Sequence, residues 1–341
     1  MIGYRQHTCD LGRQRVRMHP DRVPRRAALL VAMLSAIALL ASGCAGLAGS
    51  GPRASSGSLA ESVDLSGQTY VVGSKNFDEQ ILLCQISIAA LESVGATVTD
   101  RCNVGGSDVT RQALLSGDIS LYWEYTGTAW ASFLQETRKL PDDEVLRELR
   151  ARDGAENGVV WLDRAGFDNT YAFVVEGTTA TRLGLNTISD MAGYVRSGQP
   201  GTVCVETEYH SRADGLRGLQ QAYDVEVPRE RTSVLEQGLI FQSTADGVCL
   251  FGEVAATDGR IPGLGLAVLE DDRGYHITYS AAPTIRQDAF DRAPQIAEAF
   301  APISAALDQR TVQELNGQVS AEGRDAREVA RTWLADRGFI G

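Results

Sequence analysis

The sequence predicts an α/β protein with two lobes closing on each other like a clamshell. Three observations lead there. Short strand-like runs alternate with helix-like runs from residue 68 onward, a pattern of mainly parallel sheets covered by helices on both faces. The pattern lapses after Trp130 and restarts at Thr170. The portion that can fold spans roughly 270 residues, enough for two cores.

The elements follow in order. Gln68 to Ser74 is rich in β-branched and aromatic residues and reads as a strand. Phe77 to Val94 carries Ile81, Leu82, Cys84, Ile86, Ile88, Ala89 and Leu91 at helical spacing. Ala96 to Cys102 is a second strand. Gly105 and Gly106 make a sharp entry to a helix from Asp108 to Ser116, with Ser107 as its expected N-cap. Ile119 to Trp123 is a third strand. In the second set, Thr170 to Val175 reads as strand, Ile188 to Gly198 as helix, Thr202 to Val205 as strand and Ala213 to Tyr223 as helix. Ser233 to Asp246 reads as helix, Val248 to Phe251 as strand and Ile277 to Ile285 as a return strand. Three helices close the chain: Pro294 to Leu307, Gln309 to Val319 and Asp325 to Phe339. In such sheets ligands sit beyond the C-terminal strand ends. That directs attention to Ser74-Lys75-Asn76, Trp123-Glu124-Tyr125 and Glu206-Thr207-Glu208-Tyr209.

Residues 1–43 read as a targeting segment. Seven arginines, Arg5 to Arg26, precede an apolar run from Ala27 to Ala41. At roughly 15 residues the run suits a signal peptide better than a membrane span. Translation can begin at Met1 or Met18. Ala41-Ser42-Gly43-Cys44 resembles the lipobox of bacterial lipoproteins, with Cys44 the lipidation candidate. Residues 44–67 are rich in Gly, Ser and Ala and read as a flexible, lipid-anchored linker. The chain carries a net charge of −12 and is more acidic still without its first 43 residues. No basic stripe is present, so nucleic-acid binding is not expected.

Six cysteines are present. Beyond Cys9 and Cys44, four remain in an exported chain, which favours two disulfides. Three pairings are open. Cys84–Cys102 and Cys204–Cys249 are favoured, because each pair falls within one expected strand–helix unit. A metal site is not expected, nor is a cofactor: beyond the signal segment only His210 and His276 remain, with no Cys-x-x-Cys. Enzyme motifs are missing as well. There is no Gly-x-Ser-x-Gly, no His-Glu-x-x-His and no phosphate-cradling loop.

Aromatics make up only 7% of the chain, yet Tyr122, Trp123, Tyr125 and Trp130 crowd around Glu124. Aromatic faces attract cations that cannot donate hydrogen bonds, which points to a small quaternary ammonium ligand. Strand alternation puts Trp123 and Tyr125 on one side and Tyr122 on the other. Tyr122 and Trp130 read as core, Glu124 as exposed.

Five runs then carry a family resemblance: Val72 to Gln80 (VGSKNFDEQ), Tyr125 to Thr128 (YTGT), Gly166 to Phe173 (GFDNTYAF), Thr257 to Ile261 (TDGRI) and Leu269 to Asp272 (LEDD). In this order and spacing the chain resembles the glycine betaine/choline substrate-binding lipoproteins of osmoprotectant ABC importers, from Gln68 to about Phe339. The resemblance implies a type II periplasmic-binding-protein fold. Lobe I would be residues 68–170 plus 276–341, and lobe II residues 171–275. With the signal segment, Cys44 and the linker, the expectation is a monomeric receptor, tethered to the outer face of the membrane by its lipid, that serves a permease and ATPase. The resemblance also implies a box of four tyrosines around a trimethylammonium group.

Three box positions match, Tyr125, Tyr171 and Tyr279. The fourth, two residues before the Thr-Asp-Gly-Arg run, is Ala255. Phe251, Tyr209 or Trp123 could fill that wall. Thr128 and Asn169 align with polar contact positions, although Asn169 also fits a turn. Lys75, one of only two lysines with Lys139, could receive a ligand carboxylate. Arg212 could close over an anionic end, or sit at a helix start on the surface. Two further readings share the fold: a receptor for another small cation or amino acid, and a sensor lipoprotein without a transport role.

Overall fold

The computed structural model describes residues 57–341. Cys44 and the signal segment lie outside the described residues. Ten strands form two five-stranded sheets, ordered β2-β1-β3-β10-β4 and β7-β6-β8-β5-β9. The first combines β1 (Thr69–Lys75), β2 (Thr97–Gly105), β3 (Leu121–Tyr125), β4 (Val159–Trp161) and β10 (Ala281–Arg286). The second combines β5 (Tyr171–Glu176), β6 (Val203–Glu206), β7 (Thr232–Leu235), β8 (Phe251–Ala255) and β9 (Leu266–Leu269). In the first sheet only β10 runs against its neighbours, and in the second only β5 does. These two reversed strands are the ones that receive the chain as it crosses from one sheet to the other.

Helices cover both faces of each sheet. The helix Asp78–Ser93 is buried nearly all round, as expected of a helix held between a sheet and a further layer. That layer is the C-terminal helix Ala326–Asp336, whose Val329, Ala330 and Leu334 share a core with Ile86, Val72 and Trp123. The opposite face of the first sheet packs Leu114, Tyr122, Trp130, Leu149 and Trp161 into a separate core. β3 lies between the two, so all five of its residues are buried.

That position corrects the reading of Glu124 as exposed. A strand covered on both faces has no solvent side, and Glu124 is fully buried. Tyr122 and Trp130 are core residues, as expected. Other corrections are local. Residues 57–67, read as linker, hold a helix Ser58–Ser62 and bury Leu59, Val63 and Leu65. Ser107 is the first residue of the helix Ser107–Ser116, with Gly106 in the cap position. The stretch 233–246, read as one helix, splits into β7 and the helix Gln237–Ala245. Its opening Ser-Val-Leu is a short run whose period does not separate strand from helix. The strand expected at Val248 starts at Phe251, leaving Val248 exposed in the turn. The return strand starts at Ala281. Between the two strand sets the structure adds a helix Asp142–Asn157 and β4.

Cys84 lies beside Cys102 and Cys204 beside Cys249, with Cα atoms 5.9 and 5.7 Å apart and their sulfurs within bonding distance. No helix among the described residues is long and apolar enough to cross a membrane.

Candidate ligand-binding site

The two crossover connections, residues 162–170 and 270–280, run side by side. Asp168 and Ser280 form an antiparallel bridge, and the Asn169 N–H donates to the Tyr279 carbonyl at 3.1 Å. One connection delivers Asn169 and Tyr171, the other Tyr279. The turn after β3 meets them with Tyr125 and Thr128. A side chain at Gly127 would strike the Tyr279 ring at 2.7 Å, so glycine there lets the ring lie against this turn.

These elements enclose a cavity of ≈ 300 Å³. Its aromatic walls are Tyr125, Tyr171, Tyr279 and Phe77. Tyr279 meets Tyr171 edge-on with centroids 5.1 Å apart, and Phe77 stacks on Tyr125 at 6.1 Å. Burial pushes the phenols of Tyr125, Tyr171 and Tyr279 well above their usual range, so the rings stay neutral. Ala255 is on the wall directly opposite Tyr171 in the β5–β8 pair. None of Phe251, Tyr209 or Trp123 lines the cavity. Phe251 sits in the core beside Tyr194, and Trp123 donates to Ser87. Tyr209 stands behind Tyr171 at 4.7 Å, with its hydroxyl on His276. The fourth ring is therefore Phe77, from the loop after β1.

Beneath the box lies Glu79, completely enclosed. It accepts from the Tyr125 hydroxyl at 2.7 Å, Asn169 Nδ2 at 3.0 Å, Thr257 Oγ1 at 2.5 Å and Asn316 Nδ2 at 2.7 Å. Burial raises its pKa, and the bonds from Thr257, Tyr125 and Asn316 work against the rise. The side-chain amide of Asn169 is thus committed to holding the box, with its oxygen taken by Thr257 at 2.7 Å.

The polar residues expected on the wall divide. Thr128 and Lys75 line the cavity, as does Asn169. Lys75 is buried in an ion pair with Glu124 at 2.5 Å, and its ammonium lies 5.0 Å from the Tyr125 ring centroid. Arg212 is not on this wall. It stands behind the rings, 5.8 Å from the centroids of both Tyr171 and Tyr279, and grips Asp214 through two bonds of 2.8 and 2.7 Å. Beyond it a second, wider groove of ≈ 920 Å³ opens between Trp130 and Tyr275. The smaller cavity alone gathers all four rings, and it is the candidate site. Aromatic faces without water suit a cation whose charge is shielded by methyl groups.

A family model for the substrate-binding domain of ABC-type glycine betaine transport systems matches residues 68–336. The chain belongs to this family. It is similar to the glycine-betaine-binding protein of Pseudomonas aeruginosa, 32% identical over 279 residues, covering 80% of this chain and 89% of that protein. It is similar to the glycine betaine-binding protein YehZ of Escherichia coli, 30% identical over 275 residues, covering 79% and 90%. The solved structure of apo YehZ from Escherichia coli superposes with a TM-score of 0.60 at 28% identity, covering 80% of this chain and 99% of that one. Members of this binding-domain family are solute receptors of importers and not enzymes.

Within the family's matched segment, Phe77, Glu79 and Glu253 are site residues that sequence reasoning missed. Phe77 carried a signal, since it follows the Lys75-Asn76 strand end. Glu79 lay within the Val72 to Gln80 run, but nothing in its helical spacing marked it as the acceptor beneath the box. Glu253, two residues before Ala255 on β8, is 1% exposed and lines the cavity.

Proposed function

We propose that this chain is the extracytoplasmic receptor of an ABC importer, and that it captures glycine betaine, choline or a related quaternary ammonium osmoprotectant. One observation carries the reading: four aromatic rings face one cavity between the two sheets. Each cation–aromatic contact is worth roughly 0.5–2 kcal/mol, and a dry site raises it. Several together give micromolar binding, about −8 kcal/mol.

The lobes divide at the crossovers, as residues 68–170 with 276–341 and residues 171–275, and close around the ligand. The receptor is a monomer that hands its ligand to a permease driven by an ATPase. Cys44 carries the lipid that holds it at the outer face of the membrane. The run Ala41-Ser42-Gly43-Cys44 and the preceding apolar segment support that anchoring.

A thermal-shift panel of glycine betaine, choline and carnitine tests the ligand class. A ligand at 100 times its dissociation constant adds about 2.7 kcal/mol to stability. A clear rise in melting temperature with at least one of the three is expected. No shift with any of them at millimolar concentration would overturn the reading.

A further inference from the structure

The charge on the cavity wall is lopsided. Asp78, Glu206, Glu208, Glu236 and Glu253 all line it, against only Lys75 and Arg260. Both of those cations are already in ion pairs, Lys75 with Glu124 at 2.5 Å and Arg260 with Asp258 at 2.6 Å. Arg212, behind the rings, is held by Asp214. The helix Ser107–Ser116 points its N-terminus at the site, where an anion is favoured. That place is taken by the protein itself, because Glu208 accepts the Ser107 N–H at 2.6 Å. A ligand carboxylate would meet four glutamates and no unpaired cation.

Glu253 is the acid that is deepest in this wall. One of its oxygens accepts the Glu206 N–H at 2.9 Å. No described residue donates to the other. Alternation on β8 puts Glu253 on the same face as Ala255, so the small side chain at 255 leaves the carboxyl open to the cavity. A bulkier residue at 255 would stand between the box and this acid.

Building on the quaternary ammonium reading above, we infer that the site selects ligands of net positive charge over zwitterionic betaines, with Glu253 accepting a hydrogen bond from a hydroxyl or N–H at the end of the ligand remote from its ammonium. Choline has this chemistry. In glycine betaine the same end is a carboxylate, which Glu208 and the other acids of the wall disfavour. The cavity wall thus reads both ends of the ligand: rings for the methylated cation, acids for the donor.

Calorimetric titration of the wild type and Glu253→Gln with choline and with glycine betaine tests this. Choline should bind the wild type at least about 10-fold more tightly than glycine betaine. E253Q should reduce that preference to about 3-fold or less, since the amide keeps the shape but cannot shed a proton to become the anion that a bound cation favours. Should E253Q not fold, Glu236→Gln, an exposed acid of the same wall, should still lower choline affinity about 2- to 3-fold. Equal or tighter binding of glycine betaine by the wild type overturns the inference and leaves the quaternary ammonium reading standing. An unchanged preference in a folded E253Q overturns the role of Glu253. If neither compound binds, the quaternary ammonium reading falls, and this inference with it.

Discussion

Glu208 and Ser107 are joined by a hydrogen bond of 2.6 Å that spans the cleft, from the short helix after β6 to the first turn of the helix after β2. Burial opposes ionisation of Glu208, but Lys75 and the Ser107 N–H outweigh it and hold the carboxyl below its usual value. The bond is therefore a charge-assisted one at neutral pH. A group with a lowered pKa contributes its stabilisation above its ordinary value and loses it as the pH falls through the lowered one. Glu208→Ala should leave the unliganded protein more open, with a larger radius of gyration by small-angle scattering. The wild type should open the same way once the pH falls below the ordinary glutamate range, far enough to protonate this lowered carboxyl. An unchanged radius in Glu208→Ala would show that this bond does not hold the lobes.

Glu253 titrates in the opposite sense. Burial, with added repulsion from Glu206, pushes it from its usual 4.5 up to about 8, while the Glu206 N–H and Arg212 oppose the shift. Between those values the folded protein keeps a proton that the unfolded chain has released. Stability attributable to this group therefore falls as pH rises across the window and is level above it. Glu253→Gln should be more stable than the wild type at pH 8.5, by roughly 1–3 kcal/mol, and no more stable at pH 4.5. Denaturant titrations at the two pH values check this. The same variant should bind choline less well, so stability and binding would move in opposite directions.

The aromatic box predicts four costly truncations. Tyr125→Ala, Tyr171→Ala, Tyr279→Ala and Phe77→Ala should each weaken binding of the quaternary ammonium ligand by about 1–2 kcal/mol, roughly 5- to 30-fold. Ala255→Tyr should weaken it too, because Phe77 already supplies the fourth ring and a new side chain would enter a cavity of ≈ 300 Å³. Tighter binding by Ala255→Tyr would mean that the ligand leaves this side empty.

The cysteine pairs close loops with sequence separations of 18 and 45 residues. In the chain-entropy picture each bond should add about 3–4 kcal/mol, the longer loop the more. Mass spectrometry of the exported, non-reduced protein should find Cys84 joined to Cys102 and Cys204 to Cys249. Crossed pairs or four free thiols would contradict the arrangement.

Cys44→Ser should move the protein from the membrane fraction to the soluble one. Retention of the unlipidated variant in the membrane would count against the anchor.

Much of this site could be read from the sequence, and the limits have physical causes. Tyr125, Tyr171, Tyr279, Thr128, Lys75 and Asn169 all reach the cavity, because strand ends and crossovers carry ligand residues in such folds. Glu124 was misplaced because alternation tells sides apart without saying whether both are covered. The filling of the fourth wall was out of reach for another reason. Phe77 and Ala255 are 178 residues apart in sequence, and they meet only where the two sheets come together at the cavity, which no local pattern encodes. Of the acid wall only Glu206 and Glu208 fell in a segment the sequence singled out as a strand end; Asp78, Glu236 and Glu253 come from three further segments.

The scarcity of lysine has a practical side. Of the two in the chain, Lys75 is enclosed, while Lys139 is exposed and its ammonium donates to the backbone oxygens of Gly274 and Tyr275 at 2.5 and 3.0 Å. An amine-directed dye would find a single accessible side chain in the described residues. It would sit where the loop before the helix Asp142–Asn157 touches the segment leading back into β10, at the boundary between the two proposed lobes. The native sequence thus provides an address for a fluorescent reporter of opening and closing, with no engineered cysteine to compete with the two natural pairs.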